Sequence, residues 1–82
     1  HDSDKIQLFI DDRLIFSPGL NSSGTDAYAD YSYWCRGNGY SPEGKRNFFD
    51  ELRRRGLLTD TGTINGKTAF NVIKDYVISS DY

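Results

Sequence analysis

Residues 28–56 read YADYSYWCRGNGYSPEGKRNFFDELRRRG, and this stretch decides the fold. Aromatic residues at helical spacing come first, a glycine-punctuated break follows, and a second helical pattern ends in three arginines. Gly37 and Gly39 suit the break because glycine readily adopts the left-handed conformation that often follows a helix. Two helices joined in this way are typical of a helix-turn-helix, whose second helix is suited to meet a polyanion.

The segment after the break predicts a third helix with one polar, arginine-rich face. Ser41 can cap its N-terminus with Pro42 at the first helical position, and Gly56 can close it. At about 100° per residue, Phe48 and Leu52 fall together on the side that would face a core. The opposite face is rich in hydrogen-bond donors and comprises Glu43, Arg46, Asn47, Asp50, Arg53 and Arg54.

A first helix is predicted near the N-terminus, capped by Ser3 or Asp4 and running to about Phe16. Residues 17–19 read Ser-Pro-Gly, which stops a helix. The polar connector that follows, residues 20–24, has room for only a very short strand.

The second helix is predicted over about residues 25–36, capped by Ser23 or Thr25, and it carries an aromatic stripe. The members of this stripe, at spacings of three and four, are Tyr28, Tyr31, Trp34 and Cys35. We expect them to pack between helices, and stacking on single-stranded bases is the alternative. Tyr33 falls off the stripe and is expected to be exposed. Cys35 has no His or Cys partner nearby in the sequence, which favours a buried small hydrophobe.

A β-hairpin is predicted to complete the chain. Residues 57–64 and 67–78 are rich in Thr, Val, Ile, Phe and Tyr, and Asn65-Gly66 between them is a strong hairpin signal. An alternative turn at residues 60–62 stays open. The Asn65-Gly66 turn would pair Thr61 with Phe70 and Leu58 with Ile73. The predicted fold is therefore α+β, a winged helix-turn-helix with three helices followed by a β-hairpin wing.

The composition limits the cellular location and the kind of binding partner to expect. The 82 residues are the length of one domain, and the net charge is −2. Residues 1–40 carry three basic and six acidic side chains, whereas residues 41–67 carry six basic and four acidic ones. A local cationic excess matters more than the total charge for binding a polyanion. The single cysteine favours a reduced, cytoplasmic location, and neither a membrane-spanning run nor a signal peptide is visible.

Taken in order, these residues resemble one particular winged-helix family. They read Tyr28-x-x-Tyr31-x-x-Trp34-Cys35, then Gly39, then Lys45-Arg46-x-Phe48-x-x-x-Leu52-x-x-x-Gly56-Leu57. The pattern is similar to that of the domain at the C-terminal end of phage, plasmid and poxvirus-type replicative primase-helicases, over about residues 6–73. The resemblance implies a DNA-binding appendage, origin-recognising in some members, on an ATP-driven helicase that often carries a primase.

The chain contains no methionine and begins at His1, so we interpret it as a module from a longer protein. Residues 1–82 would form a single winged-helix DNA-binding domain, a C-terminal fragment of a replication protein. Its expected task is to recruit or position the motor on origin or duplex DNA. The expected partners are DNA, taken to be double-stranded, and other domains or subunits of the primase-helicase. The alternatives are a protein-interaction module within a replication complex and a stand-alone winged-helix transcriptional regulator.

DNA contacts are predicted on the third helix and at the hairpin tip. Arginine matches phosphate groups and guanine edges bidentately, and asparagine can pair with adenine. The predicted DNA-binding residues are Arg46, Asn47, Asp50, Arg53, Arg54, Lys45 and Lys67. The alternative for the helix is a solvated face on which Asp50 and Glu51 form intrahelical ion pairs. Lys45 and Arg55 lie nearer the buried side and can cover it with their methylene stems.

No catalytic arrangement is visible in the sequence. The sole histidine is terminal, which leaves no Ser/His/Asp or Cys/His combination to expect. Gly37-x-Gly39 lacks the rest of a dinucleotide fingerprint, and Asn65-Gly66-Lys67 is not a P-loop. We therefore expect this fragment to be non-catalytic, without metal or cofactor, and its parent chain to be the ATP-dependent enzyme.

Overall fold

A computed structural model describes residues 4–79 of the chain. This part forms a mixed α+β domain of three helices and a three-stranded antiparallel sheet with strand order β1-β3-β2. The elements are α1 Lys5–Arg13, β1 Leu14–Ser23, α2 Gly24–Gly37, α3 Lys45–Arg54, β2 Leu58–Ile64 and β3 Lys67–Ile78. The predicted α+β class is confirmed, and β1 is far longer than the very short strand considered for residues 20–24.

The first helix is shorter than predicted. Asp4 caps it as expected, because its carboxylate accepts a hydrogen bond from the Gln7 amide at 3.2 Å. The prediction that this helix reaches Phe16 is wrong, since it ends at Arg13 and residues 14–23 are strand. Pairing with the last strand outweighs the helical spacing of the local sequence, because tertiary context overrides weak propensity. The pairs are Leu14 with Ile78, Ile15 with Val77 and Phe16 with Tyr76.

The second helix lies close to its predicted position, whereas the third begins later. Ser23 caps α2 by accepting a hydrogen bond from the Asp26 amide at 3.3 Å. The predicted cap of α3 at Ser41 is wrong, because α3 begins at Lys45 after Gly44 and has no side-chain cap.

Two tyrosines of α2 hold the segment that leads into α3. The Tyr28 hydroxyl donates to the Glu43 carbonyl at 2.9 Å, and the Glu43 amide donates to the Tyr31 hydroxyl at 3.0 Å. Both backbone groups of residue 43 are thereby satisfied from α2, which replaces the bonds that a helix starting at Ser41 would supply. Burial raises the pKa of Tyr31 well above its usual range, so this hydroxyl stays protonated.

The hairpin turns where the sequence predicts. Asn65 and Gly66 have φ values of 53° and 79°, the positive values that a two-residue type I′ turn requires. The predicted pairs of Thr61 with Phe70 and Leu58 with Ile73 are confirmed, and the alternative turn at residues 60–62 is wrong. Asn71 also has a positive φ, 54°, although β2 and β3 keep one register on both sides of it.

The hydrophobic core gathers residues from every element. Phe9 lies among the rings of Tyr31, Trp34 and Phe48, with centroids 5.4, 5.7 and 6.0 Å away in edge-to-face contact. The predicted burial of the α2 stripe is confirmed, with Tyr28 only partly buried, and Tyr33 is exposed as expected. Gly24 begins α2 where a Cβ atom would lie 2.5 Å from the Asn71 carbonyl oxygen, so only glycine fits.

A buried ion pair joins α1 to α2. The Arg13 guanidinium contacts the Asp30 carboxylate at 3.0 Å through Nε and at 3.2 Å through Nη2. Nη2 also donates to the Ser79 carbonyl at 2.7 Å. Only 6% of the Arg13 side chain and 11% of the Asp30 side chain are exposed. The pair fixes the end of the sheet against the two helices.

Candidate nucleic-acid interface

The third helix is anchored from behind by apolar side chains and is open on its other side. Phe48 and Leu52 are fully buried, and Phe49 is nearly so. The Phe48 ring stacks on Tyr31 with centroids 4.6 Å apart. Of the six residues predicted to face outward, five are exposed on α3, namely Arg46, Asn47, Asp50, Arg53 and Arg54, whereas Glu43 precedes the helix and is half-buried. The predicted division of this helix into a buried and a solvent face is therefore confirmed.

Arg53 connects α3 to the hairpin. Its guanidinium lies 3.1 Å from the carboxylates of both Asp50 and Asp60, and it donates to the Asn71 side chain at 3.5 Å. The Arg53 side chain remains 42% exposed. Because exposed ion pairs are weak and screened by salt, a phosphate group could take the place of either carboxylate.

Glu51 forms ion pairs with the other two arginines of residues 53–55. Arg54 and Arg55 both pair with its carboxylate, and they lower the pKa of Glu51 below its usual range. Arg55 also pairs with Asp4 and donates to the Gln7 side chain at 3.0 Å, which ties α3 to α1. Arg55 is largely covered, as predicted, whereas Arg54 stands in solvent. The intrahelical pairs of Asp50 and Glu51, predicted as the alternative to DNA contact, are present.

The cations in the N-terminal turn of α3 make fewer polar contacts than the arginines at its C-terminal end. Within residues 4–79, the Arg46 side chain makes neither an ion pair nor a hydrogen bond. Lys45 Nζ lies 5.7 Å from the Phe49 ring centroid, a cation–π contact that leaves the ammonium group in water. Both residues line an open depression of about 520 Å³ together with Phe49, Asp50 and Arg53. This depression therefore brings three cations of α3 together at an open surface.

The remaining predicted contacts are divided between helix and hairpin. Asn47 donates to the Glu43 carboxylate at 2.9 Å, so its amide is engaged within the domain. Lys67 is exposed at the start of β3, directly after the turn. We use the name α3 face for a set of charged side chains on α3 and on the hairpin that follows it, which are the cations Lys45, Arg46, Arg53, Arg54 and Lys67 and the carboxylates of Asp50, Glu51 and Asp60. Its excess of two positive charges suits an anionic ligand.

Three hairpin residues were not predicted from the sequence as candidates for a site. Asp60 and Asn71 contact Arg53, and Phe70 has a largely exposed aromatic ring. The predicted hairpin register already placed Phe70 opposite Thr61, so the register was the available signal. Exposure of the ring and the approach of Arg53 depend on packing between distant segments.

Other kinds of site find little support in the described part of the chain. Residues 4–79 contain no group of three His, Cys, Asp or Glu side chains placed to hold a metal ion. No helix in that range has the length and apolar character needed to cross a membrane. Cys35 is fully buried, and burial raises the pKa of its thiol, which disfavours the reactive thiolate.

Comparison with known proteins gives one match. A family model described as Poxvirus D5 protein-like matches residues 1–76. A search of curated proteins found no match. A search of solved structures likewise found none. The matched range includes all of α1, α2 and α3, the hairpin turn and most of β3.

Proposed function

Because the chain belongs to the Poxvirus D5 protein-like family, which relates it to replicative primase-helicases, we propose that it is a winged-helix DNA-binding domain. Its task would be to hold the motor on origin or duplex DNA while another part of the protein hydrolyses ATP. The observation that carries this proposal is the α3 face, a set of exposed cations on a helix whose apolar side is fixed in the core. The turn before α3 and the hairpin after it support a winged helix-turn-helix.

The third helix would enter the major groove, as recognition helices of this motif do, with its N-terminal turn nearest the base edges. Lys45 and Arg46 lie in that turn, and Arg46 is ready to pair with a phosphate or a guanine edge. Asp50, one turn further on, can accept a hydrogen bond from a cytosine amino group. Arg53 and Arg54 would bind phosphate by exchanging their carboxylate partners for it.

The test is a fluorescence anisotropy titration of random duplex DNA at several salt concentrations. Each neutralised phosphate contributes a slope of about −0.9 to log affinity against log salt, so five cations predict about −4.5. If only the cations outside ion pairs take part, namely Lys45, Arg46 and Lys67, the slope is about −2.7. Binding without salt dependence, or no binding at low salt, would contradict the proposal.

A protein-interaction module within a replication complex is the second candidate. Two observations favour it: Arg53 and Arg54 already have carboxylate partners, and β1 displays the apolar side chains of Ile15, Phe16 and Leu20. This function predicts salt-insensitive binding to a protein partner and no affinity for DNA. The same titration therefore separates the two candidates.

A further inference from the structure

We infer that Phe70 is a stacking site for an unpaired DNA base, so that the domain prefers a junction of duplex and single strand over a blunt duplex. The inference rests on the proposed DNA binding and specifies the DNA structure that is bound. It assigns the part of the hairpin around Phe70 to base contact, and leaves only Lys67 at the turn to contact the phosphate backbone.

The Phe70 side chain is exposed in a part of the hairpin that carries several hydroxyl groups. Its exposed fraction of 75% is the highest among the exposed large hydrophobic residues of the described chain. Directly opposite lies Thr61, and Thr63 with Thr68 is the second pair from Phe70 toward the turn, after Gly62 with Ala69. All three threonines are exposed. The largely exposed ring therefore has hydroxyl groups near it on the hairpin.

The groups around the Phe70 ring suit a nucleic-acid base better than a phosphate. A base presents a π face for the ring and polar edges that hydroxyl groups can bond. A phosphate would meet the carboxylate of Asp60, which is 84% exposed and adjoins Thr61. Lys67 at the turn is the only cation between residues 58 and 73. The hairpin is thus poor in the charge that tracking a backbone requires.

The position of Phe70 links it to the α3 face. Asn71, the next residue, receives a hydrogen bond from Arg53, and Asp60 pairs with the same guanidinium. Phe70 thus lies one residue from a contact of α3, and the proposal places the end of a duplex held on α3 beside its ring. A protein partner is less suited to this spot, because it would need a contiguous apolar patch. The exposed apolar residues Ile15, Phe16 and Leu20 belong to β1, whereas the exposed hairpin residues near Phe70 include Thr61, Thr63 and Thr68.

The experiment compares Phe70→Ala, Phe70→Trp and Phe70→Leu with the unaltered 82-residue chain. Affinity is measured by anisotropy for a forked DNA and for a blunt duplex of equal length at the same salt concentration. A 2-aminopurine base at the first unpaired position of the fork reports stacking through quenching of its fluorescence. Phe16→Ala is the matched control, because Phe16 of β1 is also an exposed phenylalanine, and it packs on Tyr76 of β3. Thermal unfolding confirms that each variant is folded.

Phe70→Ala is expected to weaken binding to the fork by about tenfold, within the range for loss of one stacked base, and to abolish the quenching. Blunt-duplex affinity should change less than about twofold, Phe70→Trp should retain the preference, and Phe70→Leu should lose the quenching. If Phe70→Ala loses affinity equally for both DNAs, or loses none, the inference is overturned. Salt-dependent binding of the duplex by the unaltered chain would still support the proposed function in that case. If the unaltered chain binds neither DNA, the proposed function fails and the inference fails with it.

Discussion

Replacement of Asp30 by asparagine is expected to destabilise the domain severely. The substitution removes the charge that faces the Arg13 guanidinium across bonds of 3.0 and 3.2 Å, in a site where both side chains are almost fully covered. Breaking one partner of a buried pair costs about 3–5 kcal/mol, because the remaining buried charge loses its opposite charge. A domain of this size has a total stability of roughly 4–12 kcal/mol. Asp30→Asn should therefore lose between about a quarter and all of it.

The assay is urea unfolding followed by circular dichroism, with the free energy of unfolding extrapolated to water. The melting temperature should fall by at least about 12 °C, from the usual 4–8 °C per kcal/mol for small domains. Asp26→Asn is the control on the same helix, since Asp26 is exposed in its first turn and should lose only about 0.3–1 kcal/mol. The double variant Arg13→Leu/Asp30→Leu should recover part of the loss, because an apolar pair can replace a buried ion pair. A loss below about 1 kcal/mol for Asp30→Asn would refute this reasoning.

Three further predictions follow from single side chains. Tyr31→Phe removes the acceptor of the Glu43 amide and should lower the free energy of unfolding by about 1–3 kcal/mol in urea; a variant as stable as the unaltered chain would contradict it. Glu51→Gln should destabilise the domain at pH 6 but not at about pH 2. The folded-state pKa of Glu51 is lowered, first by Arg54, so its contribution is present above the unfolded pKa of about 4.3 and is lost as the pH falls through the folded value. A difference independent of pH in paired urea titrations would oppose this assignment. Cys35 should react with iodoacetamide many times more slowly in the folded chain than in urea, and equal rates would show that the thiol is accessible.

Local signals in the sequence predicted the elements that local chemistry determines. Asn65-Gly66 fixed the hairpin and its register, because positive φ at two successive residues admits few alternatives. The stripe from Tyr28 to Cys35 predicted one face of α2, and the spacing of Phe48 and Leu52 predicted the orientation of α3. Each of these depends on periodicity within a single segment.

What the sequence did not predict depends on contacts between distant segments. Residues 14–16 fit a helix locally and become strand because β3 offers pairing partners. Ser41 is a good cap in isolation, yet two tyrosine hydroxyls of α2 hold residue 43 outside the helix. Arg53 finds Asp60, seven residues away in the chain, only once the hairpin folds back toward α3. Charge on a helix face can thus be predicted, whereas the partners of each charge cannot.

The most direct test of the central claim is the salt dependence of duplex binding by an Arg46→Ala/Arg53→Ala/Arg54→Ala variant. Two cations of the α3 face remain in it, so the slope of log affinity against log salt should fall from about −4.5 to about −1.8. Arg36→Ala is the control, because Arg36 is an exposed cation at the end of α2, outside the α3 face, and should leave the slope unchanged. Equal slopes for the folded triple variant and the unaltered chain would show that α3 does not hold the DNA.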